Sequence, residues 1–382
     1  MALREIAVVG VHATEQAWKL QGRQPFDLTI EALDGALADA GLQRSDLDGV
    51  ALDWFGPGGV PGEASSWARV LGHDVAWTSD GYLDTSGVRG VLKGAAAIAA
   101  GLCEVVALGG AGVGSRSIGV PVTPPRSEFT DVWGAYVLPL FGLVAARHMY
   151  EFGTRPEHLA AVAASIRNLG YSNPEAVMFG RAPISIEDVL ESRMVSSPFH
   201  LLDCCIAAEG GAVLILTSVE RARDLQQPVV AILGGAMQAS FGPYSNPALY
   251  RDIKMLGVTA AKRALALAGR QISDMDVLSL YDANSFEVIR QLEILGVCSE
   301  GEGGPYVDEV GIGIESPLPV NTDGGCLSYA WNGTQQQTLK VIEIVRQLRG
   351  TAVHQVDDAQ TGLATNAGTG AGHLEVAVLG KL

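Results

Sequence analysis

The chain has 382 residues, 48% of them hydrophobic and 18% charged, with a formal net charge of −16. That length holds two hydrophobic cores or one duplicated core. The acidic balance argues against nucleic acid as a partner, and an anionic ligand would need local attraction from helix N-termini and a few Arg or Lys. Five cysteines (Cys103, Cys204, Cys205, Cys298 and Cys326) include no C-x-x-C pair, so no zinc site is expected. Their odd number reads as the reduced thiols of a cytoplasmic protein. Apolar runs stay below the ~18 residues of a membrane span, and the IAVVG core of residues 1–10 is too short for a secretory signal.

In chain order, residues 5–11 read as a buried strand and residues 27–41 as a helix stopped by Gly41. Residues 49–54 are the next strand, and the Gly- and Pro-rich residues 54–66 a loop. Residues 84–101 form an Ala- and Leu-rich helix with Asp84 as a natural N-cap, followed by a strand at 104–108. Residues 115–199 break the alternation, with helices expected at 135–152 and 157–169. Strands are expected at 210–218 and 229–234, a helix at 256–269, a strand at 276–281 ending on Tyr281, and a helix at 285–295. Residues 318–350 start extended, pass through Asp323-Gly324-Gly325 and enter a long apolar-periodic helix over 334–348 that stops at Gly350. A Gly-Gly pair before a helix lets backbone N–H groups point at a ligand. Residues 84–108 and 322–356 share an order of turn, Gly, helix, Gly and strand, which argues for an α/β fold with mixed sheets and an internal repeat.

Five stretches then fall into one pattern. VNTDGGCLSYAWNGT, from Val320, resembles the "N-x-x-GG-x-x-x-x-x-HP-x-G" block of the thiolase superfamily. Leu280-Tyr281-Asp282-Ala283-Asn284-Ser285-Phe286 resembles its "HDCF" or "NEAF" block, and DCCIAAEGGA, from Asp203, its "CCPVSDGAAA" block. Asp84-Thr85-Ser86-Gly87 stands where the nucleophilic "CASG" is found, and LATNAGTG, from Leu363, at the closing Gly-rich loop. The resemblance spans nearly the whole chain and is nearest to the sterol-carrier-type thiolases and lipid-transfer-protein homologues. It implies a thiolase fold with duplicated βαβαβαββ halves in a five-layer αβαβα stack and an inserted loop domain. The implied division is 1–114 and 200–240 for the first half, 115–199 for the loop domain and 241–382 for the second half. A homodimer is implied as well.

The departures from that pattern decide the chemistry. The four positions that converge on one pocket in thiolases are here Asp84, Tyr281, Trp331 and Asn366. A carboxylate at the acyl-accepting position cannot form the relay thioester. Tyr at the first His position resembles the lipid-transfer-protein aldolases of steroid side-chain degradation. Those relatives cleave a β-hydroxyacyl-CoA by a retro-aldol reaction to a ketone or aldehyde and a short acyl-CoA such as propionyl-CoA or acetyl-CoA. A tyrosine hydroxyl has a reference pKa of about 10 and needs help to act as a base. Oxyanion donors are expected at Asp84 and within 366–370. The aldolases' second Tyr falls on Trp331, which can donate one hydrogen bond but is no acid or base. Tyr329 lies two residues earlier and points elsewhere.

Arg193 and His200, with Gly324, Gly325, Gly368 and Gly370, are the candidate contacts to a coenzyme A thioester; no cofactor held by the chain itself is implied. The seven histidines have no metal-type spacing. The resemblance further implies a small zinc-ribbon/OB-fold partner protein. The alternative reading is a non-catalytic lipid-transfer or acyl-CoA-binding subunit. Asp84 predicts an absence of thiolase activity: pure protein given acetoacetyl-CoA and free coenzyme A yields no acetyl-CoA above the blank, and enzyme-dependent acetyl-CoA would refute the assignment.

Overall fold

The computed structural model describes residues 2–55, 64–79, 84–113, 137–240, 249–368 and 371–382. Gly370, the PVTPPRSEF run of the insertion and most of the predicted 54–66 loop lie outside the described residues.

β1 (Ile6–Ala13) is buried over its first six residues, as its run of apolar side chains requires. α1 (Pro25–Ala40) opens with Pro in its first turn and presents Leu28, Ala32, Leu33, Ala36 and Leu37 to the core at helical spacing. Gly41 takes φ +74° and ends the helix, its N–H reaching the Leu37 and Ala38 carbonyls. β1 and α1 approach closely at Gly10, where a Cβ would lie 2.1 Å from the Ala36 carbonyl oxygen. There follow β2 (Gly49–Phe55), α2 (Ala64–Leu71), β3 (Trp77–Thr78), α3 (Gly87–Ala99) and β4 (Val106–Gly112). α2 starts inside the stretch predicted as loop.

Next come α4 (Val137–Phe152), α5 (Pro156–Ser172), α6 (Ile186–Glu191) and a small hairpin of β5 (Met194–Ser196) and β6 (Phe199–His200). β7 (Gly210–Ser218), α7 (Val219–Ala222), β8 (Val230–Ala239), α8 (Tyr250–Ile253) and α9 (Val258–Ala268) lead to β9 (Val277–Ser279). α10 (Ser285–Leu295), α11 (Gly303–Glu309), α12 (Gln336–Arg349), β10 (Thr361–Gly368) and β11 (His373–Lys381) complete the chain.

The strands run in the order β3-β2-β4-β7-β1-β8-β11-β10-β9. β1 and β8 meet over only two residue pairs, Ala7 with Ala231 and Val8 with Val230. This seam joins two blocks of strands, and the core side chains on each face define the layers. Outside the first block, α1, α2 and α7 cover Ala7, Val9, Val50, Leu52 and Val213. Between the blocks, α3 and α12 pack with Val8, Leu108 and Leu214 on one side and Ala364 and Ala377 on the other. Beyond the second block, α9 and α10 cover Leu363, Leu374 and Val376. The result is the mixed α/β thiolase fold in five layers. Alternate residues of each strand face opposite layers, as the pleat dictates.

The middle and outer helices are more buried than their polar content suggests. Every residue of α10 is buried, as are all of α12 except Arg346 and Arg349. Within α10, Arg290 forks onto Glu287 at 2.8 and 2.6 Å and also donates to the Ile253 and Leu256 carbonyls. That satisfies a buried guanidinium and ties α8 to the core. The inserted helices sit on this scaffold: α4 and α5 pack on α10, and α5 also on α11.

Several predicted boundaries move. β9 ends at Ser279, so Tyr281 lies two residues past it. Residues 351–356 form no strand; the strand following α12 is β10, which absorbs most of the predicted closing loop. The segment after Gly324-Gly325 is a single π turn, Gly325–Tyr329, and α12 begins later, at Gln336.

Candidate functional site

Tyr281 is held by its backbone on both sides. Its N–H donates to Thr365 Oγ1 at 3.0 Å, and its carbonyl accepts from Gln291 Nε2 at 2.6 Å. Thr365 Oγ1 in turn donates to Gln291 Oε1 at 2.5 Å, closing a ring that joins the Tyr281 segment, α10 and β10. The preceding residue is fixed as well: Leu280 N–H donates to Asn321 Oδ1 at 2.7 Å. Asn321 itself has φ +53°, a left-handed conformation that Asn tolerates better than most residues. Tyr281 is buried, and its ring belongs to the outer core of the second block.

The following residue, Asp282, is the anchor. Lys340 Nζ lies 2.6 Å from Asp282 Oδ1, and both side chains are almost wholly buried. Cys326 N–H donates to the same oxygen at 2.9 Å and Leu327 N–H to Oδ2 at 3.3 Å. Burial alone would push the Lys340 ammonium toward neutrality; the Asp282 carboxylate outweighs it, and Lys340 is held more firmly protonated than a free lysine. The donors of the Gly324-Gly325 turn are therefore spent inside the protein, Gly325 N–H going to Asp323 Oδ1 at 2.8 Å. They do not point at a ligand, which corrects the expectation for Gly324 and Gly325. The two glycines have φ +106° and +58°, and a Cβ on Gly325 would lie 2.0 Å from Asp282 Oδ2, so the turn closes on the carboxylate only as Gly.

The Asp84 end differs from its predicted form too. Ser86, not Asp84, is the N-cap of α3. The Asp84 carboxylate instead reaches Lys93 Nζ at 2.5 Å and Arg89 Nη1 at 3.7 Å along the same helix. The first donors of α3 are capped from the second half. Gly87 N–H donates to Thr338 Oγ1 at 3.0 Å. With its amide oriented to suit its neighbours, Asn366 accepts from Val88 N–H at 3.0 Å and donates to the Thr365 carbonyl at 3.2 Å. Asn366 thus seals this helix end, and residues 366–368 belong to β10, paired with β11, where an open donor loop was expected.

Trp331 is half-buried, and its carbonyl accepts from Ala208 N–H at 2.8 Å. Cys205 and Ile206 N–H bind the Ala283 and Cys326 carbonyls, so residues 205–208 bind both the Tyr281 segment and the π turn. Tyr329 is buried with its hydroxyl toward Glu175 Oε2 at 3.5 Å. It forms the wall of a cavity of about 420 Å³ between Thr14–Trp18 and Pro174–Val177. Arg193 is exposed at the start of the β5–β6 hairpin. His200 Nδ1 donates to the Ser192 carbonyl at 2.6 Å, a bond that fixes the hairpin. The structure brings neither Arg193 nor His200 to the Tyr281 clamp. Gly368 ends β10, opposite His373.

Sequence reasoning passed over His373 and Glu375. They stand at i and i+2 on an otherwise apolar strand, the spacing that puts both on one face, and that alternation was the available signal. Their cross-strand partners on that face are Gly368 and Asn366. His373 Nδ1 lies 3.2 Å from Glu375 Oε2, and Arg89 Nε donates to Glu375 Oε1 at 3.0 Å.

A sequence profile described as thiolase C-terminal domain-like matches residues 251–381. The chain is 33% identical to a steroid side-chain-cleaving aldolase of Thermomonospora curvata, over 95% of each chain. It is 32% identical to 17-hydroxy-3-oxo-4-pregnene-20-carboxyl-CoA lyase of Mycobacterium tuberculosis, over 96% of this chain and 97% of that one. Among solved structures, one titled Ltp2-ChsH2(DUF35) aldolase superposes with a TM-score of 0.86 at 31% identity, covering 100% of this chain and 99% of the other.

The anchor generates a stability prediction. Lys340→Met leaves a buried carboxylate without its cation and is expected to cost about 3–5 kcal/mol in urea unfolding. Adding Asp282→Asn removes the stranded charge and should recover much of that loss. A single substitution costing under about 1 kcal/mol, or a double mutant as costly as the two singles summed, would show that the pair is no anchor.

Proposed function

This chain belongs to the thiolase-like sterol-carrier-protein family, and on that footing we propose that it is a carbon–carbon lyase, an aldolase acting on an acyl-CoA. The observation that carries the reading is a tyrosine, locked in place by Thr365, Gln291 and the Asp282 anchor, in a chain whose acyl-accepting position is an ion-paired aspartate. The substrate in this reading is a β-hydroxyacyl-CoA with a steroid side chain or similar acyl group. Its β-hydroxyl loses a proton, the Cα–Cβ bond breaks, a ketone or aldehyde departs, and the electron pair rests on the thioester as an enolate. A proton returned to Cα gives the short acyl-CoA. Tyr281 serves one of these proton transfers. The enolate oxygen needs a fixed donor. Asn284 Nδ2 and Asn321 Nδ2, in the Tyr281 segment and hydrogen-bonded to it, are buried and without a partner among the described residues; they suit that task better than the capped N-terminus of α3.

Tyr281→Phe keeps the ring and removes the hydroxyl, so the fold is expected to stand while kcat falls about 10²–10⁴-fold. Trp331→Ala should chiefly raise KM, because it removes surface and no proton. The assay is release of ketone and short acyl-CoA from a β-hydroxyacyl-CoA, with a zinc-ribbon/OB-fold partner supplied. Full kcat in Tyr281→Phe with loss in Asp84→Asn would move the role to Asp84. A wild type inert with its partner would leave the non-catalytic acyl-CoA-binding reading.

The assembly in this reading is a homodimer that takes up that partner, with residues 115–199 as a loop domain over the pocket. The partner in this reading is suggested by the structural relative titled Ltp2-ChsH2(DUF35) aldolase, whose title joins two names. Light scattering is expected to give twice the chain mass alone and a larger, defined mass with the partner. A monomer at every concentration would contradict the dimer, and an unchanged mass on mixing would contradict the partner.

A further inference from the structure

The proposed reaction needs two proton-handling groups, and Tyr281 is one. A hydroxyl with a reference pKa of about 10 gives up a proton at neutral pH far more readily than it takes one. A base nearer neutrality suits the β-hydroxyl step better.

The face of β10 and β11 turned toward α3 carries an imidazole. Asn366 and Gly368 on β10 stand opposite Glu375 and His373 on β11. Asn366 seals α3 at Val88, so this face adjoins the acyl-accepting position. His373 Nδ1 lies 3.1 and 3.2 Å from the two Glu375 oxygens and 3.4 Å from Arg89 Nη2; we assign the Nδ1–H tautomer from the closer carboxylate, which leaves a lone pair on Nε2. Nε2 has no hydrogen-bond partner among the described residues and lies 2.9 Å from where a Cβ on Gly368 would stand. Gly368 is the first glycine of the closing run, and its missing side chain is what lets the imidazole pack this close to β10.

Among the described residues, the charged groups around the imidazole come from two elements. On β11 there is Glu375. On α3 there is Arg89, which donates to Glu375 and approaches His373 Nδ1 at 3.4 Å, with Asp84 and Lys93 behind it. β10 contributes no titratable group on this face, and the β8 neighbour of His373 is Ala239. Burial would raise the Glu375 carboxyl, but hydrogen bonding and charge from His373, then Arg89, hold it below the usual range. A carboxylate that stays ionised behind Nδ1–H orients the ring and stabilises the imidazolium formed when Nε2 takes a proton.

We propose that His373, oriented by Glu375, is the base that takes the β-hydroxyl proton, leaving Tyr281 to return a proton to the enolate carbon; the inference rests on the aldolase reading above. Nε2 takes the hydroxyl proton, and the freed oxygen pair becomes the new carbonyl bond. The Cα–Cβ pair moves into the thioester as an enolate. Tyr281 gives its proton to Cα and regenerates the thioester. The proton on Nε2 then passes through solvent to the Tyr281 oxygen, and both groups are restored.

The test is the pH profile of kcat/KM with a β-hydroxyacyl-CoA and the partner protein, for wild type and His373→Gln. The wild type should show an acid limb, and His373→Gln should lose about 10²–10⁴-fold in rate together with that limb, while binding the product acyl-CoA as the wild type does. His373→Gln at full rate with the limb intact overturns the base and leaves the aldolase reading standing. A wild type that cleaves nothing sinks the aldolase reading and this base with it. If His373→Gln does not fold, histidine NMR of the wild type decides. An Nδ1–H tautomer titrating at the acid limb upholds the assignment, and an Nε2–H tautomer or a mismatched titration overturns it.

Discussion

The structure turns on one buried charge pair. Lys340 and Asp282 meet in the buried interior, where removing two charges from water costs several kcal/mol per ion. That cost is offset only because the carboxylate also accepts two backbone N–H groups from the π turn. The pair therefore fixes three things together: the residue after Tyr281, the turn after Gly324-Gly325, and the first turns of α12. The turn passes this order outward, since the Ser328 and Tyr329 carbonyls accept from Met178 and Val177 beyond α5. The role proposed for Tyr281 needs this kind of support, because a loosely held group loses its alignment with the bond being broken.

The elements most legible in the sequence were those with strong local signals. Gly210–Ser218 and Ser285–Leu295 match their expected bounds, the first as an unbroken apolar run and the second between an Asn cap and Gly296. Gly41 and Gly350 stop their helices in the left-handed conformation expected of them. The resemblance placed 363–370 in a closing Gly-rich loop, and TGLATNAG, rich in small residues and of little β propensity, gives no local sign of β10; its pairing with β9 and β11 supplies what the local sequence lacks. α12 starts two residues after its expected bound because a 3-10 turn, Gly333–Gln335, leads into it.

The site was less legible than the fold, and for a different reason. Motif matching assigned positions to Asp84, Tyr281, Trp331 and Asn366 but said nothing about where their hydrogen bonds go. Asn366 turned out to spend its amide on α3, and the Gly-Gly turn its donors on Asp282 and Asp323. Both had looked like groups waiting for a ligand. The charged residues that surround the acyl-accepting position, Arg89 and Glu375, come from elements more than 280 positions apart. No local pattern couples them; only the stacking of α3 on the second block does.

The central claim is that Tyr281 hands a proton to the α-carbon of an acyl-CoA enolate. That half-reaction runs backward without any ketone, so it can be read in isolation. Propionyl-CoA or acetyl-CoA incubated with the protein and its partner in D2O should exchange its α-protons, followed by mass spectrometry, and Tyr281→Phe should abolish the exchange. Wild-type protein that leaves the α-protons untouched, or a Phe variant that exchanges them as fast, would contradict the account.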